Sequence, residues 1–194
     1  MMKRIGIYSG TFDPVHAGHV TFALQAREAA RLDKVYFMPE REPRRKVGVE
    51  HYGHRYAMLE RAVRPHTHLA VLDTTDKYFN VTRTLPRLQQ LFPGVELVLL
   101  LGSDVAQFVP QWQHVDTLVK NVSFCIGLRT GAEREAVAQI FTELGLPAER
   151  LIMIESYAAD VSSSGIRDAL RARRTVRGLL TSVHKYAQKE WLYL

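Results

Sequence analysis

Short apolar runs alternate along the chain with segments whose apolar residues recur every three or four positions. The runs fall at 4–9, 34–38, 69–74, 95–101, 123–128 and 151–155, and each reads as a strand. The periodic segments lie near 18–31, 52–64, 82–91, 115–120, 132–144, 164–173 and 181–191, and each reads as a helix. In the first of these, Val20, Ala23, Leu24, Ala26 and Ala30 set small and apolar side chains at helical steps. Pro86 belongs in a first turn, so its helix begins as late as Arg83 or Thr84. The strand runs are continuously apolar rather than alternating, as expected of a parallel sheet covered by helices on both faces. The pattern predicts one α/β domain over 1–194, a doubly wound and mostly parallel sheet, with a small helical C-terminal end over about 162–194. The stretch 40–50, EREPRRKVGVE, is charged, carries a proline and lacks apolar period; it is expected to be a mobile loop.

Composition narrows the setting. The 194 residues are 46% hydrophobic and 24% charged, enough to bury one sizeable core. The basic start has no apolar stretch of signal length. The longest apolar run, 95–101 with Glu96 inside it, is far short of the roughly 20 residues that cross a bilayer. A soluble, cytoplasmic protein with no membrane partner is expected. The single Cys125 cannot close an internal disulfide, which fits a reducing compartment, and its place in a strand reads as core packing. Twenty-six Lys and Arg against 20 Asp and Glu give a formal charge of +6. That favours an anionic partner, nucleic acid or a small phosphorylated substrate, without choosing between them. Arg171, Arg173, Arg174 and Arg177 read as a solvated face, and Asp73 and Asp76 as a turn cap and a solvated charge.

The strongest chemical signal is the string Gly10-Thr11-Phe12-Asp13-Pro14-Val15-His16-Ala17-Gly18-His19, directly after the first strand. In a doubly wound sheet the first strand–helix turn is a usual phosphate site. Gly10 lets the backbone approach a ligand, and Asp13-Pro14 favours a sharp turn. His16 and His19, three apart, share a face where the helix begins, where the dipole and free N–H groups already favour an anion. Their imidazoles can donate to phosphate oxygens that gain charge during transfer. A zinc site is the competing reading, but zinc pairs on helices often use four-residue spacing and no third ligand is apparent nearby; no protein metal site is expected.

Three further segments carry candidate chemistry. Val161-Ser162-Ser163-Ser164-Gly165-Ile166-Arg167 opens a helix, where serines cap N–H groups, leave an anion cradle and set it beside a fixed cation. Leu101-Gly102-Ser103-Asp104 ends a strand; Gly102 permits close approach of a nucleoside and Asp104 can accept its hydrogen bonds. Trp112 offers a flat face on which a ring can stack.

The first string resembles the G-T-F-D-P-x-H-x-G-H signature of the adenylyl- and cytidylyltransferase superfamily, whose H-x-G-H also occurs in class I aminoacyl-tRNA synthetases. The serine segment resembles the family's I-S-S-T-x-I-R, which embraces the ATP triphosphate; Ser164 replaces Thr and keeps the hydroxyl. The pairing of Gly102-Ser103-Asp104 with Trp112 is similar to the G-A-D and nicotinate-stacking tryptophan of the nicotinate-nucleotide adenylyltransferases. The likeness extends over nearly the whole chain: Phe37-Met38-Pro39 with Pro43 and Lys46 resembles F-M-P-x-x-x-P-P-H-K, 54–59 resembles H-R-x-x-M-L, and the ending Leu179 to Tyr186 with Leu192-Tyr193 resembles the family's closing helix. Two departures stand out. Pro43-Arg44-Arg45-Lys46 replaces P-P-H-K, and 79–84 replaces S-Y-T-x-D-T with only Thr84 matching clearly.

The resemblance implies a Rossmann-like nucleotidyltransferase that joins the adenylyl group of ATP, with Mg²⁺, to a pyridine mononucleotide and releases pyrophosphate. It implies His16, His19 and Arg167 as catalytic. Gly10, Thr11, Phe12, Lys46, Gly102, Asp104, Ser163, Ser164 and Ile166 are expected to bind ATP, and Asn80, Thr84 and Trp112 the mononucleotide. Nicotinate or nicotinamide as the pyridine stays open, as does a homo-oligomer. The rivals are another transferase of the superfamily and a non-catalytic RNA-binding protein, which would bind RNA in a salt-sensitive way without ATP turnover; nucleic acid is not the expected partner.

Overall fold

In the computed structural model, which describes residues 3–44, 46–155 and 161–193, the apolar runs pair side by side in one sheet. Among the described residues its strands are β1 (Arg4–Gly10), β2 (Lys34–Pro39), β3 (Leu69–Val71), β4 (Glu96–Gly102), β5 (Ser123–Leu128) and β6 (Leu151–Glu155). Their order is β3-β2-β1-β4-β5-β6, and every pairing is parallel. The order reverses between β1 and β4, so the loops leaving those two strands diverge and open a crevice at their carboxyl ends.

The continuous apolar character of the strands has a simple cause. Along β4, Val98 and Leu100 face one core, while Leu97, Leu99 and Leu101 face the other. Successive side chains of a strand point to opposite faces, so a strand covered on both sides must be apolar at every step. The first face is covered by α1 (Ala17–Ala29), α2 (Tyr52–Val63) and α8 (Thr181–Lys189), through residues such as Ala23, Met58 and Val183. The second is covered by α3 (Thr84–Leu91), α5 (Val115–Asn121) and α6 (Arg134–Glu143), through Leu88, Leu118 and Phe141. Cys125 lies in the first core, and burial pushes its thiol up to about 12.

The α3 helix begins at Thr84, with Pro86 in its first turn. The strand expected over 69–74 stops at Val71. Leu72 still donates to Phe37 O, but Asp73 and Thr74 turn away to accept the Arg41 guanidinium. Asp76 is no solvated charge: it is buried, taking the Thr84 hydroxyl at 2.8 Å and Arg87 Nη1 at 2.9 Å. The short α4 (Ser103–Ala106) follows β4 directly, too brief for any periodic signal. At the C-terminal end, α7 (Ser163–Arg171) leans on the turn after β1, and α8 packs against α2, with His54 Nδ1 3.0 Å from the Tyr186 hydroxyl. No helix among the described residues is long and apolar enough to cross a membrane.

Candidate active site

The turn between β1 and α1 is built from the inside. Phe12 adopts φ 52°, the left-handed region that non-glycine residues avoid. Its ring is buried edge-on to Tyr8 at 5.3 Å and to His19 at 5.0 Å. A Cβ on Gly10 would stand 3.0 Å from that ring, so glycine is what lets strand and ring pack together. The inverted backbone at Phe12 carries the chain to His16, the N-cap of α1, one turn before His19.

The two imidazoles stack with centroids 3.7 Å apart. The His16 backbone N–H donates to His19 Nδ1 at 3.2 Å. That bond requires a bare Nδ1, so the neutral ring carries its proton on Nε2, as a donor. Burial lowers His16 to about 4. Burial, then the neighbouring His16 and Lys46, hold His19 well below the ordinary 6.5. Both rings are neutral donors at pH 7. Among the described residues His16 Nδ1 is buried without a partner, an arrangement buried polar atoms rarely keep unless a ligand or water completes it.

This burial has a measurable consequence. The unfolded chain takes up a proton on His16 near pH 6.5, while the folded chain refuses it until about 4. Stability is therefore fully present above pH 6.5 and is lost as the pH falls through that window, by about 3 kcal/mol for this residue. Urea unfolding at pH 7, 5.5 and 4.5 measures it, and His16→Asn is expected to flatten that part of the profile.

Two clefts open over the switch point. The first, about 580 Å³, is lined by Gly10, Thr11, Phe12, His16, His19, Lys46, Gly102, Asp104, Ser163, Ser164 and Arg167, together with Arg129. The second, about 690 Å³, is lined by Asn80, Phe79, Trp112, Tyr78, Glu40 and Arg44. They share Ser9, Gly10, Thr11, Lys46, Leu101, Asp104 and Val105. The distant serine segment reaches the turn that bears the histidines: Ser163 Oγ donates to Pro14 O at 2.9 Å and Arg167 Nη1 to Asp13 O at 2.7 Å. Ser162 caps α7, accepting from Gly165 N at 3.2 Å.

Two expected residues are not brought to either cleft. Thr84 is 1% exposed, its hydroxyl donating to Asp76 and accepting from Asn80 N, so it serves the first turn of α3. Ile166 is buried on the inner side of α7, its N–H bonded to Ser162 O. Conversely, Arg129 went unnoticed in the sequence. It follows β5, and its Nη2 sits 3.0 Å from Asp104 Oδ2, spanning the ends of β4 and β5. A Cβ on Gly102 would come within 2.5 Å of Asp104 Oδ1 and would push that exposed carboxylate aside. In the second cleft Trp112 packs on Phe79 at 6.1 Å, and the Arg44 guanidinium lies 4.2 Å from the Tyr78 ring centre. Burial raises the Glu40 carboxyl, with Arg44, Lys46 and Arg55 pulling it back.

Similar proteins share this plan. The cytidylyltransferase-like family profile matches residues 7–169. Relatives named "Probable nicotinate-nucleotide adenylyltransferase" include one from Desulfitobacterium hafniense, 34% identical over 98% of this chain and 96% of its own. Another, from Thermomicrobium roseum, is 30% identical over 99% of this chain and 92% of its own. The Plasmodium falciparum nicotinic acid mononucleotide adenylyltransferase, solved with NaAD, superposes with a TM-score of 0.81 at 20% identity, over 98% of this chain and 97% of that one. Its complex with APC gives 0.79 at 19% identity and the same coverage. At that identity the superposition speaks for the fold, and the closer sequence matches carry the rest: the chain belongs to the nicotinate-nucleotide adenylyltransferases, within the cytidylyltransferase-like family of nucleotidyltransferases.

Proposed function

We propose that this enzyme transfers the adenylyl group of ATP to nicotinate mononucleotide, giving the deamido dinucleotide of NAD biosynthesis and pyrophosphate. The observation that carries the proposal is the meeting of two clefts at Gly10, Thr11, Lys46 and Asp104. ATP belongs in the first, where imidazoles, hydroxyls and the Arg167 guanidinium converge, and the mononucleotide in the second, against Trp112 and Asn80. The acceptor's 5′-phosphate oxygen attacks the α-phosphorus in line, the bond to the β-phosphate bridge breaks, and pyrophosphate departs with its charge. Chemistry of this kind rests on positioning and charge stabilisation rather than on a protein nucleophile.

In this reading His16 and His19, as neutral donors, steady the α- and β-phosphates. Lys46, the Ser164 hydroxyl, Arg167 and the Ser163 main-chain N–H at the start of α7 hold the departing pyrophosphate. Asp104, oriented by Arg129, takes a ribose or base hydrogen bond beside Gly102. Mg²⁺ arriving with ATP would be held by the substrate and water and would supply charge neutralisation for the phosphates; among the described residues no three His, Cys, Asp or Glu side chains gather into a metal cage. We read the chain as one nucleotidyltransferase domain with 162–194 as its helical end, working in the cytoplasm.

The test is direct. ATP–Mg²⁺ is supplied with nicotinate or nicotinamide mononucleotide separately, pyrophosphate release is followed, and the dinucleotide is identified by mass. Turnover with the nicotinate form supports the proposal, preference for nicotinamide moves the acceptor, and no turnover with either overturns it. Trp112→Ala is expected to raise the acceptor's KM about tenfold or more, the size of a stack worth about 1–3 kcal/mol, and to leave the KM for ATP in place.

A further inference from the structure

The turn bearing the histidines is held from behind by the last part of the chain. Asp13 O accepts from Arg167, Pro14 O accepts from Ser163, and the Ala17 N–H donates to Gly178 O at 2.8 Å. The Asp13 carboxylate, 2% exposed, is bonded from three other directions. The Tyr193 hydroxyl donates to Oδ1 at 2.7 Å, the Glu50 N–H donates to Oδ2 at 3.4 Å, and Arg167 Nη1 lies 3.8 Å from the same oxygen.

Tyr193 is an unexpected contributor. It lies 180 residues from Asp13 in sequence, past the end of α8, and is 4% exposed. Its backbone sits at φ 63°, a conformation an aromatic residue holds only when its surroundings insist on it. Its ring packs in the core with Val15 and Met58. Phenylalanine would supply that packing equally well; the hydroxyl adds the bond to Asp13 and a weak 4.0 Å contact with Met58 Sδ.

We propose that the Tyr193 hydroxyl is a positioning group for adenylyl transfer, fixing Asp13 so that the turn, Arg167 and Ser163 meet the polyphosphate in one geometry. The inference rests on the function proposed above. Arg167 and Ser163 each spend a donor on the turn's carbonyls, so a displaced turn displaces both side chains. Without the hydroxyl, Asp13 Oδ1 is left buried and unpaired, and the carboxylate has to shift toward another donor. Asp13, Ser163, Arg167 and Tyr193 do not line the second cleft, which meets the turn at Gly10 and Thr11, so the mononucleotide should sense the change far less than ATP does.

The experiment is Tyr193→Phe in the full-length enzyme, with both substrates titrated and thermal unfolding recorded. The kcat/KM for ATP is expected to fall about tenfold while the KM for the mononucleotide changes less than about twofold, a scale set by sub-ångström misplacement of the reacting groups. In an Asp13→Ala background, which removes the acceptor, the same substitution is expected to cost nothing further, since the two groups act as one unit. Unchanged constants overturn the proposal. So does a variant that merely unfolds, or one that loses maximal rate in proportion to its folded fraction with both KM values intact, because either result leaves the hydroxyl a packing role alone. Failure of the wild type to turn over would instead count against the function.

Discussion

Replacing His19 with alanine is expected to lower turnover by about 10²–10³, the cost of removing one donor aimed at developing charge. The geometry makes the ring more than a nearby base. His19 Nδ1 is occupied by the His16 N–H, and burial keeps the ring neutral. What it offers a phosphate is therefore a single oriented Nε2–H donor. Charge grows on the phosphate oxygens as the bond to pyrophosphate breaks, so the donor's contribution is largest in the transition state and the loss should fall on kcat more than on KM. The alanine also orphans the His16 N–H at the start of α1, adding a smaller structural cost that thermal unfolding would register separately. Steady-state pyrophosphate release with both substrates saturating measures the effect. Near-normal turnover would remove His19 from the chemistry.

Much of this site was legible because it is local. Gly10 to His19 occupies one strand, one turn and the first turn of one helix, and backbone rules over ten residues place both imidazoles. The sheet was legible because continuous apolar runs have one common explanation. Long-range partners were not. Nothing near Arg129 announces Asp104, and nothing near Tyr193 announces Asp13; such bonds depend on where whole strands and helices come to rest. The serine segment shows both sides of this. Its arrival at the turn bearing the histidines was expected, yet the Ser163 hydroxyl and one Arg167 N–H go to the carbonyls of Pro14 and Asp13 rather than to open cleft. Thr84 and Ile166 are the opposite case, where a residue type that fits a motif turns its side chain inward. For Ile166 the signal was present: an apolar side chain amid the polar residues of α7 belongs on its buried face. For Thr84 it was weaker, since a hydroxyl at a helix start binds the helix itself as readily as a ligand.

Arg55 tests how the site is supported rather than how it reacts. Replacing it with methionine, close in length and apolar, is expected to destabilise the fold by about 3–5 kcal/mol, the range for breaking a buried charged network from one side. The side chain is 1% exposed and makes four bonds to main-chain carbonyls: Nε to Glu50 O at 2.9 Å, Nη1 to Thr11 O at 2.7 Å, and Nη2 to Glu40 O at 2.7 Å and Arg41 O at 3.2 Å. Burial lowers the guanidinium's pKa, and Asp13 leads the groups that raise it again; the group stays charged. Methionine fills the space but leaves those carbonyls buried without donors, each costing about 1–3 kcal/mol where water cannot reach. Lysine should rescue little, since one ammonium on a flexible stem cannot reproduce a planar fork that reaches three segments at once. Those segments are the signature turn at Thr11 and the two ends of the 40–50 loop that carries Lys46. Loss of Arg55 therefore loosens the common wall of both clefts, and activity should fall at temperatures where the fold still holds. Urea unfolding gives the first effect and turnover well below the melting point the second; a variant with wild-type stability would mean that the loop and turn find their places without the fork.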